Sequence, residues 1–69
     1  MEEFLHKLVF IHLDLVGKSI YYLCAYVTNI SETHITILDK TKIKAEQEAL
    51  SFRKTDVVEI KLSNRQPNE

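Results

Sequence analysis

The chain has few of the residues that most often cross-link a small domain or form an enzyme site. Its 69 residues include one cysteine, one glycine, one proline and no tryptophan. A lone cysteine, Cys24, excludes a disulfide within the chain, and a lone glycine excludes a glycine-rich loop for phosphates. The histidines His6, His12 and His34 lack the spacing of zinc ligands. We therefore expect no metal, no cofactor, no small-molecule substrate and no enzyme activity.

The chain also lacks the apolar run of about 20 residues that a membrane-spanning helix needs. Its first residues, Met1-Glu2-Glu3, are acidic where a secretory signal is basic. Cys24 has the apolar neighbours Leu23 and Ala25, which is typical of a reduced, buried thiol. These features predict a cytoplasmic protein with no membrane partner. Because the formal net charge is −1, nucleic-acid binding would have to come from a local patch.

Apolar residues, in contrast, are plentiful, at 45% of the sequence, which indicates a folded chain. We expect a single domain over residues 1–62 and a disordered polar tail over residues 63–69. A chain below about 70–80 residues rarely gains more than ~3–5 kcal/mol from its core alone. Since disulfides and metals are excluded, oligomerisation is the supplement that we expect.

The apolar pattern predicts a short N-terminal helix followed by five strands. Residues 2–8 combine two leading glutamates with an apolar stripe, as in one or two helical turns. From Val9 the period changes to two, and strands are expected at 9–15, 20–28, 34–38, 49–53 and 57–62. Gly17 is expected to have a positive φ in the first hairpin turn. The polar stretch 39–48 is predicted to be a mobile loop, with a helical turn as the alternative.

Alternation also predicts which side chains face the core. The inward rows expected on the first, third and last strands are Val9, Ile11, Leu13 and Leu15; Ile35 and Ile37; and Val58, Ile60 and Leu62. On the second strand, one face is expected to carry Tyr21, Leu23, Ala25 and Val27.

The end of the chain, residues 50–62, is its most informative stretch. Two alternating strands flank a charged turn, which predicts a hairpin that closes a small sheet. Five twisted strands at this length favour a mainly β, strongly bent SH3-like small barrel over an OB-like one. An all-β chain must hide its edge strands, close them into a barrel or pair them with copies of itself. A ring of copies is the outcome that we expect.

This layout resembles the Sm-like family, which includes the Sm and Lsm proteins and Hfq. The stronger patch is residues 52–60, which is similar to the second motif of the family. Phe52, Arg53, Val57 and Ile60 match that motif, while Lys54 stands where the family prefers glycine. In its brevity and divergence the chain is similar to small phage-borne members.

The weaker patch is Gly17 with residues 21–37, where the family has an Asp-x-x-x-Asn turn that holds an RNA base. One register places Asn29 and Thr33 at the two motif positions, and another places His34 at the second. Neither register restores the acidic residue.

The resemblance implies an Sm-type barrel in a homo-oligomeric ring, with strand four of one copy paired to strand five of the next. The implied interface residues are Leu50, Phe52, Val57, Val58 and Ile60. The implied site for single-stranded RNA, near the ring pore, is Asn29, Thr33, His34, Arg53 and Lys54.

Other functions remain open at this point. Arg53 could instead pair with Asp56 or Glu59. Asn29, Thr33 and His34 could simply build the turn between two strands. The main alternative is a structural or protein-interaction ring that no longer binds RNA. A monomeric SH3-like adaptor for a proline-rich peptide is less favoured, because the three tyrosines lie on both strand faces.

Overall fold

The computed structural model describes residues 1–65 as one antiparallel sheet with short 3-10 turns. The strands are β1 (Leu8–Leu15), β2 (Lys18–Ile30), β3 (His34–Asp39), β4 (Ala49–Arg53) and β5 (Val57–Leu62). Their order across the sheet is β4-β3-β2-β1-β5. The prediction of a mainly β chain with five strands is confirmed. Within the described residues β4 and β5 lie at opposite edges, so the sheet is not closed.

The core lies on one face of this sheet. Its fully buried members are Val9, Ile11, Leu13, Ala25, Val27, Ile35 and Ile37. The inward rows predicted for the first and third strands are therefore confirmed, with Leu15 packed against the same cluster. The residues on these strands are mostly branched, which suits a pleated surface that is covered on one side.

A bulge in β2 changes which side chains face the core. β2 has the two residues Leu23 and Cys24 where β1 has one, so the alternation shifts by one position. Tyr22 and Ala25 consequently both pack on the core side. The prediction that Tyr21 shares a face with Ala25 is wrong, because Tyr21 lies before the bulge and is exposed.

Another bulge has the same effect in β5. Glu59 and Val57 pair with consecutive residues of β1, so Val58 is an extra residue. Val57 and Ile60 pack against the core, whereas Val58 and Leu62 are each 59% exposed. The predicted inward row of Val58, Ile60 and Leu62 is therefore confirmed only at Ile60; it is wrong at Val58, which the bulge turns away, and at Leu62, which is exposed at the end of β5.

The N-terminal segment forms only one 3-10 turn, Glu2–Phe4, and the predicted helix over residues 2–8 is wrong. His6 has a φ of 62°, and its N–H donates to the carbonyl of Val27 at 2.8 Å. β1 then begins at Leu8. A helix this short has little stability of its own, so pairing with the sheet prevails.

The β1–β2 turn consists of Val16 and Gly17, with φ values of 50° and 78°. The predicted positive φ of Gly17 is confirmed. Two consecutive positive values are typical of the type I′ hairpin turn, which matches the twist of the flanking strands. Val16 is fully exposed and is a β-branched residue in a conformation that such residues rarely adopt.

The predicted hairpin of the last two strands is wrong. β4 pairs with β3 and β5 pairs with β1, and the 3-10 turn Lys54–Asp56 takes the chain from one edge to the other. β1 thereby gains a strand on each side, which makes it an interior strand of the sheet.

The connection between β3 and β4 contains a 3-10 turn, Lys44–Glu46, which is the helical alternative predicted for residues 39–48. Asp39 anchors it, because its Oδ1 accepts bonds from the N–H and hydroxyl of Thr41 at 3.0 and 2.6 Å. In residues 1–65 no helix has the length and apolar character to cross a membrane.

The predicted tail, residues 63–69, lies partly outside the described residues. Ser63 is held to the sheet, since its N–H donates to the carbonyl of Leu8 at 3.0 Å and its hydroxyl to that of Leu23 at 2.8 Å. The hydroxyl bond falls at the bulge of β2, where the ladder between β1 and β2 is interrupted.

Candidate functional site

Two segments that are distant in the sequence form one cleft of 420 Å³, which we call the turn cleft. It is lined by Glu32, Thr33, His34, Arg53, Lys54 and Thr55. Four of the five residues predicted to bind RNA are among them. The fifth, Asn29, is an exposed residue of β2 opposite Thr36 and does not line the cleft.

Backbone bonds fix the two walls of the turn cleft against each other. His34 and Arg53 are register partners in the β3–β4 ladder. Just beyond that pair, the N–H of Lys54 donates to the carbonyl of Thr33 at 2.8 Å. The hydroxyl of Ser31 accepts from the N–H of His34 at 3.0 Å, which closes the turn between β2 and β3. The local turn chemistry and the strand pairing together therefore hold the cleft.

The cations of the turn cleft differ in their partners. Arg53, with a 67% exposed side chain, pairs through Nε with the carboxylate of Asp56 at 3.4 Å. This is the ion pair that the sequence left open as an alternative to RNA contact. Lys54 has no side-chain hydrogen bond or ion pair within residues 1–65, and neither does Glu32 on the opposite wall. An exposed pair at this distance contributes little stability, so Arg53 remains available to a ligand.

His34 provides a planar ring in the same cleft. Its Nδ1 lies 2.7 Å from the hydroxyl of Thr33, so one of these two atoms donates to the other. Both residues are exposed. The cleft thus combines a flat ring, two cations and a free carboxylate, which can bind an unpaired base by stacking and edge hydrogen bonds.

The predicted interface residues lie on the two edge strands. Leu50 and Phe52 of β4, and Val57 and Ile60 of β5, are half-buried against the core of their own chain. Val58 is the exposed member of the set. Each edge therefore offers a partly open apolar row beside its unpaired backbone.

A second cleft, of 580 Å³, was not predicted from the sequence; we call it the N-terminal cleft. It is lined by His6, Lys7, Leu8, Tyr26, Leu38 and Lys40. The rings of His6 and Tyr26 are stacked there, with centroids 6.2 Å apart and an interplanar angle of 15°. Tyr26 lies in the strand predicted over residues 20–28. The position of His6 follows from its positive φ, which no local pattern indicates.

The outer face of β1 and β2 carries a third group of rings. His12 and Tyr21 stack with centroids 4.3 Å apart, and Lys61 lies 5.2 Å from the centroid of Phe10. Nε2 of His12 is buried without a hydrogen-bond partner among residues 1–65. In the same part of the chain, no three His, Cys, Asp or Glu residues gather to hold a metal ion.

Comparison with known proteins gives no match to a family model, to a curated protein or to a solved structure. The proposed function therefore depends on the contacts and charges described above and on the motifs of the sequence.

Proposed function

We propose that this protein is a non-enzymatic, Sm-like ring of identical copies that binds single-stranded RNA at the turn cleft. The observation that carries the proposal is the meeting of two separately predicted segments, Thr33–His34 and Arg53–Lys54, in one cleft. In a ring, each copy would place this cleft near the pore.

The chemistry of the turn cleft supports RNA over a peptide or a small metabolite. Proteins read single-stranded RNA by stacking its bases on rings or guanidinium planes and by bonding the base edges. His34 and Arg53 can provide the planes, and Lys54 a point charge. Repeated around a ring, Arg53 and Lys54 would present several cationic hydrogen-bond donors close together, each set beside the carboxylates of Glu32 and Asp56.

The two free sheet edges support the ring. β4 and β5 carry unpaired backbone groups beside the half-buried apolar residues Leu50, Phe52 and Ile60. Pairing β4 of one copy with β5 of the next covers both edges and extends the apolar face across the joint. Such a heterologous contact closes into a ring when its rotation permits. The curved sheet would then be the strongly bent, SH3-like small barrel of the Sm type.

The RNA site is tested by removing its two cations. We expect Arg53→Ala with Lys54→Ala to weaken binding of a labelled single-stranded RNA by about a hundredfold or more, since each of the two charge-assisted contacts is worth about 1.5–3 kcal/mol. Fluorescence anisotropy at several salt concentrations measures this.

The matched control is Lys42→Ala with Lys44→Ala, which removes the same charge from exposed positions outside the cleft. Binding should change much less in this variant. Equal RNA affinities for the two double variants, with the oligomer intact, would contradict the placement of the RNA site in the turn cleft.

The ring is tested by native mass spectrometry at moderate ionic strength. One closed oligomer of several copies, with extra mass that ribonuclease removes, is the expected result. A monomer at all concentrations would contradict the assembly.

The second candidate is a ring that does not bind RNA. The ion pair between Arg53 and Asp56 favours this candidate, because it engages one of the two cations of the turn cleft. Purified protein separates the two candidates, since the chain has no tryptophan and copurified nucleic acid is easily seen by its absorbance. A ring free of RNA that also binds none when it is added would favour this candidate.

A further inference from the structure

We infer that the turn cleft selects guanine among the bases of single-stranded RNA; this inference rests on the proposed function. It starts from the carboxylate of Glu32, which lines the same cleft as Arg53 and Lys54. A site for phosphate alone gains nothing from a carboxylate, because the two anions repel each other.

The charges around the turn cleft nearly cancel. Glu32 and Asp56 offset Arg53 and Lys54, and Asp56 already holds Nε of the arginine at 3.4 Å. The net attraction of one cleft for a polyanion is therefore small. What remains is a local separation of charge, with donors on one wall and an acceptor on the other. A base edge that carries both acceptors and donors fits this arrangement better than a phosphate does.

Guanine is the base whose edges match both walls at once. Its O6 and N7 are adjacent acceptors, which arginine or lysine bonds in the commonest specific base contact. Its N1–H and N2–H are adjacent donors, which a carboxylate can accept through its two oxygens. Adenine and cytosine each present a single exocyclic amino donor, and uracil presents a single ring N–H. Only guanine therefore offers two donors to Glu32.

The free groups in the turn cleft agree with this assignment. The side chains of Glu32 and Lys54 have no hydrogen bond or ion pair to any residue in the range 1–65. Among the described residues the guanidinium of Arg53 is bonded through Nε alone, which leaves its two terminal nitrogens for a ligand. The ring of His34, which also lines the cleft, can supply a plane on which a base stacks. The volume, 420 Å³, lies within the range of about 300–1,000 Å³ that ligand clefts occupy.

The test measures discrimination among bases by the assembled protein. Labelled oligouridines with one central guanosine, adenosine or cytidine are compared with the unmodified strand by fluorescence anisotropy. We expect the guanosine strand to bind about fivefold or more tightly than the others, since a good bidentate contact discriminates by about 1–3 kcal/mol. Inosine, which lacks the N2 amino group, should lose much of this gain.

Glu32→Gln tests the role of the carboxylate without changing its shape. We expect the preference for guanosine to fall to within about twofold in this variant, because an amide provides one acceptor in place of two. Glu46→Gln is the control: it makes the same change at an exposed position outside the turn cleft, and the preference should persist.

The outcomes separate this inference from the proposed function. If the protein binds the strands but prefers uridine or adenosine, or if Glu32→Gln keeps the guanosine preference, the inference is wrong and RNA binding stands. If the unmodified protein binds none of the strands, the proposed function is wrong and the inference with it.

Discussion

The two edges of the sheet hold their apolar side chains differently. On β4, Leu50 and Phe52 pack against the core of their own chain, and the ring of Phe52 lies 5.8 Å from that of Tyr22. On β5, Val58 and Leu62 are each 59% exposed. A change at Leu50 or Phe52 is therefore expected to affect both folding and the proposed assembly, whereas a change at Val58 or Leu62 is expected to affect the proposed assembly with little effect on folding. The three predictions that follow test this difference.

The largest effect is expected on the β4 edge. Phe52→Ala should lower the free energy of unfolding by about 2–3 kcal/mol, below the usual range of about 3–5 kcal/mol because Phe52 is only half-buried. Chemical denaturation measures the change. If the variant loses its oligomers but keeps its unfolding free energy, the β4 edge is not part of the core as we describe it.

A smaller effect on folding, with a large effect on assembly, is expected on the β5 edge. Leu62→Lys should shift the protein toward monomer on size-exclusion chromatography with light scattering. The unfolding free energy of the monomer should change by less than about 1 kcal/mol, because an exposed lysine keeps its charge in water.

Val16→Lys is the matched control for this prediction, since it adds the same charge at an exposed apolar residue in the β1–β2 turn. Its oligomers should persist. Equal dissociation of both variants would show that added charge, and not the β5 edge, is responsible.

The smallest effect is expected on stability at alkaline pH, through Tyr22 of β2, whose ring contacts Phe52 of β4. Burial, followed by the negative charge of Asp39, raises the pKa of Tyr22. Because the folded-state pKa is the higher one, the stabilising contribution is present below the unfolded pKa of about 10 and is lost as the pH rises through the folded value.

Unfolding free energies measured between about pH 9 and pH 11 should therefore fall less steeply in Tyr22→Phe than in the unmodified protein. Tyr21→Phe, on the exposed outer face, serves as the control and should follow the unmodified protein. Identical slopes for all three proteins would contradict the link between Tyr22 and stability.

Strand positions were largely predictable from the sequence, because alternation is a local property. The bounds of β4 and β5 are those predicted, and Ile35 and Ile37 face the core as expected. The bulges in β2 and β5 were not predictable, since an extra residue depends on the partner strand and leaves the apolar pattern unchanged. The same reason applies to the partner of β5, because a strand-turn-strand pattern does not specify which edge each strand joins.

The candidate site was predictable only in part. Thr33, His34, Arg53 and Lys54 came from the family resemblance, and the structure brings them into one cleft. Glu32 was overlooked because the motif places no acidic residue at its position. The N-terminal cleft depends on the backbone of His6, which a bond to the distant Val27 holds in place. Side chains gathered by such long-range contacts leave no signal in the local sequence.

The position of β5 beside β1 also determines when the sheet can be completed during folding. Val9 of β1 pairs with Leu62 of β5, so β1 cannot complete its pairing until β5 is present. Loop closure over such a separation is slow, and folds dominated by distant contacts fold slowly. During synthesis, one side of β1 stays open until β5 has left the ribosome. β1, an interior strand of the finished sheet, is therefore an exposed edge until β5 has been made.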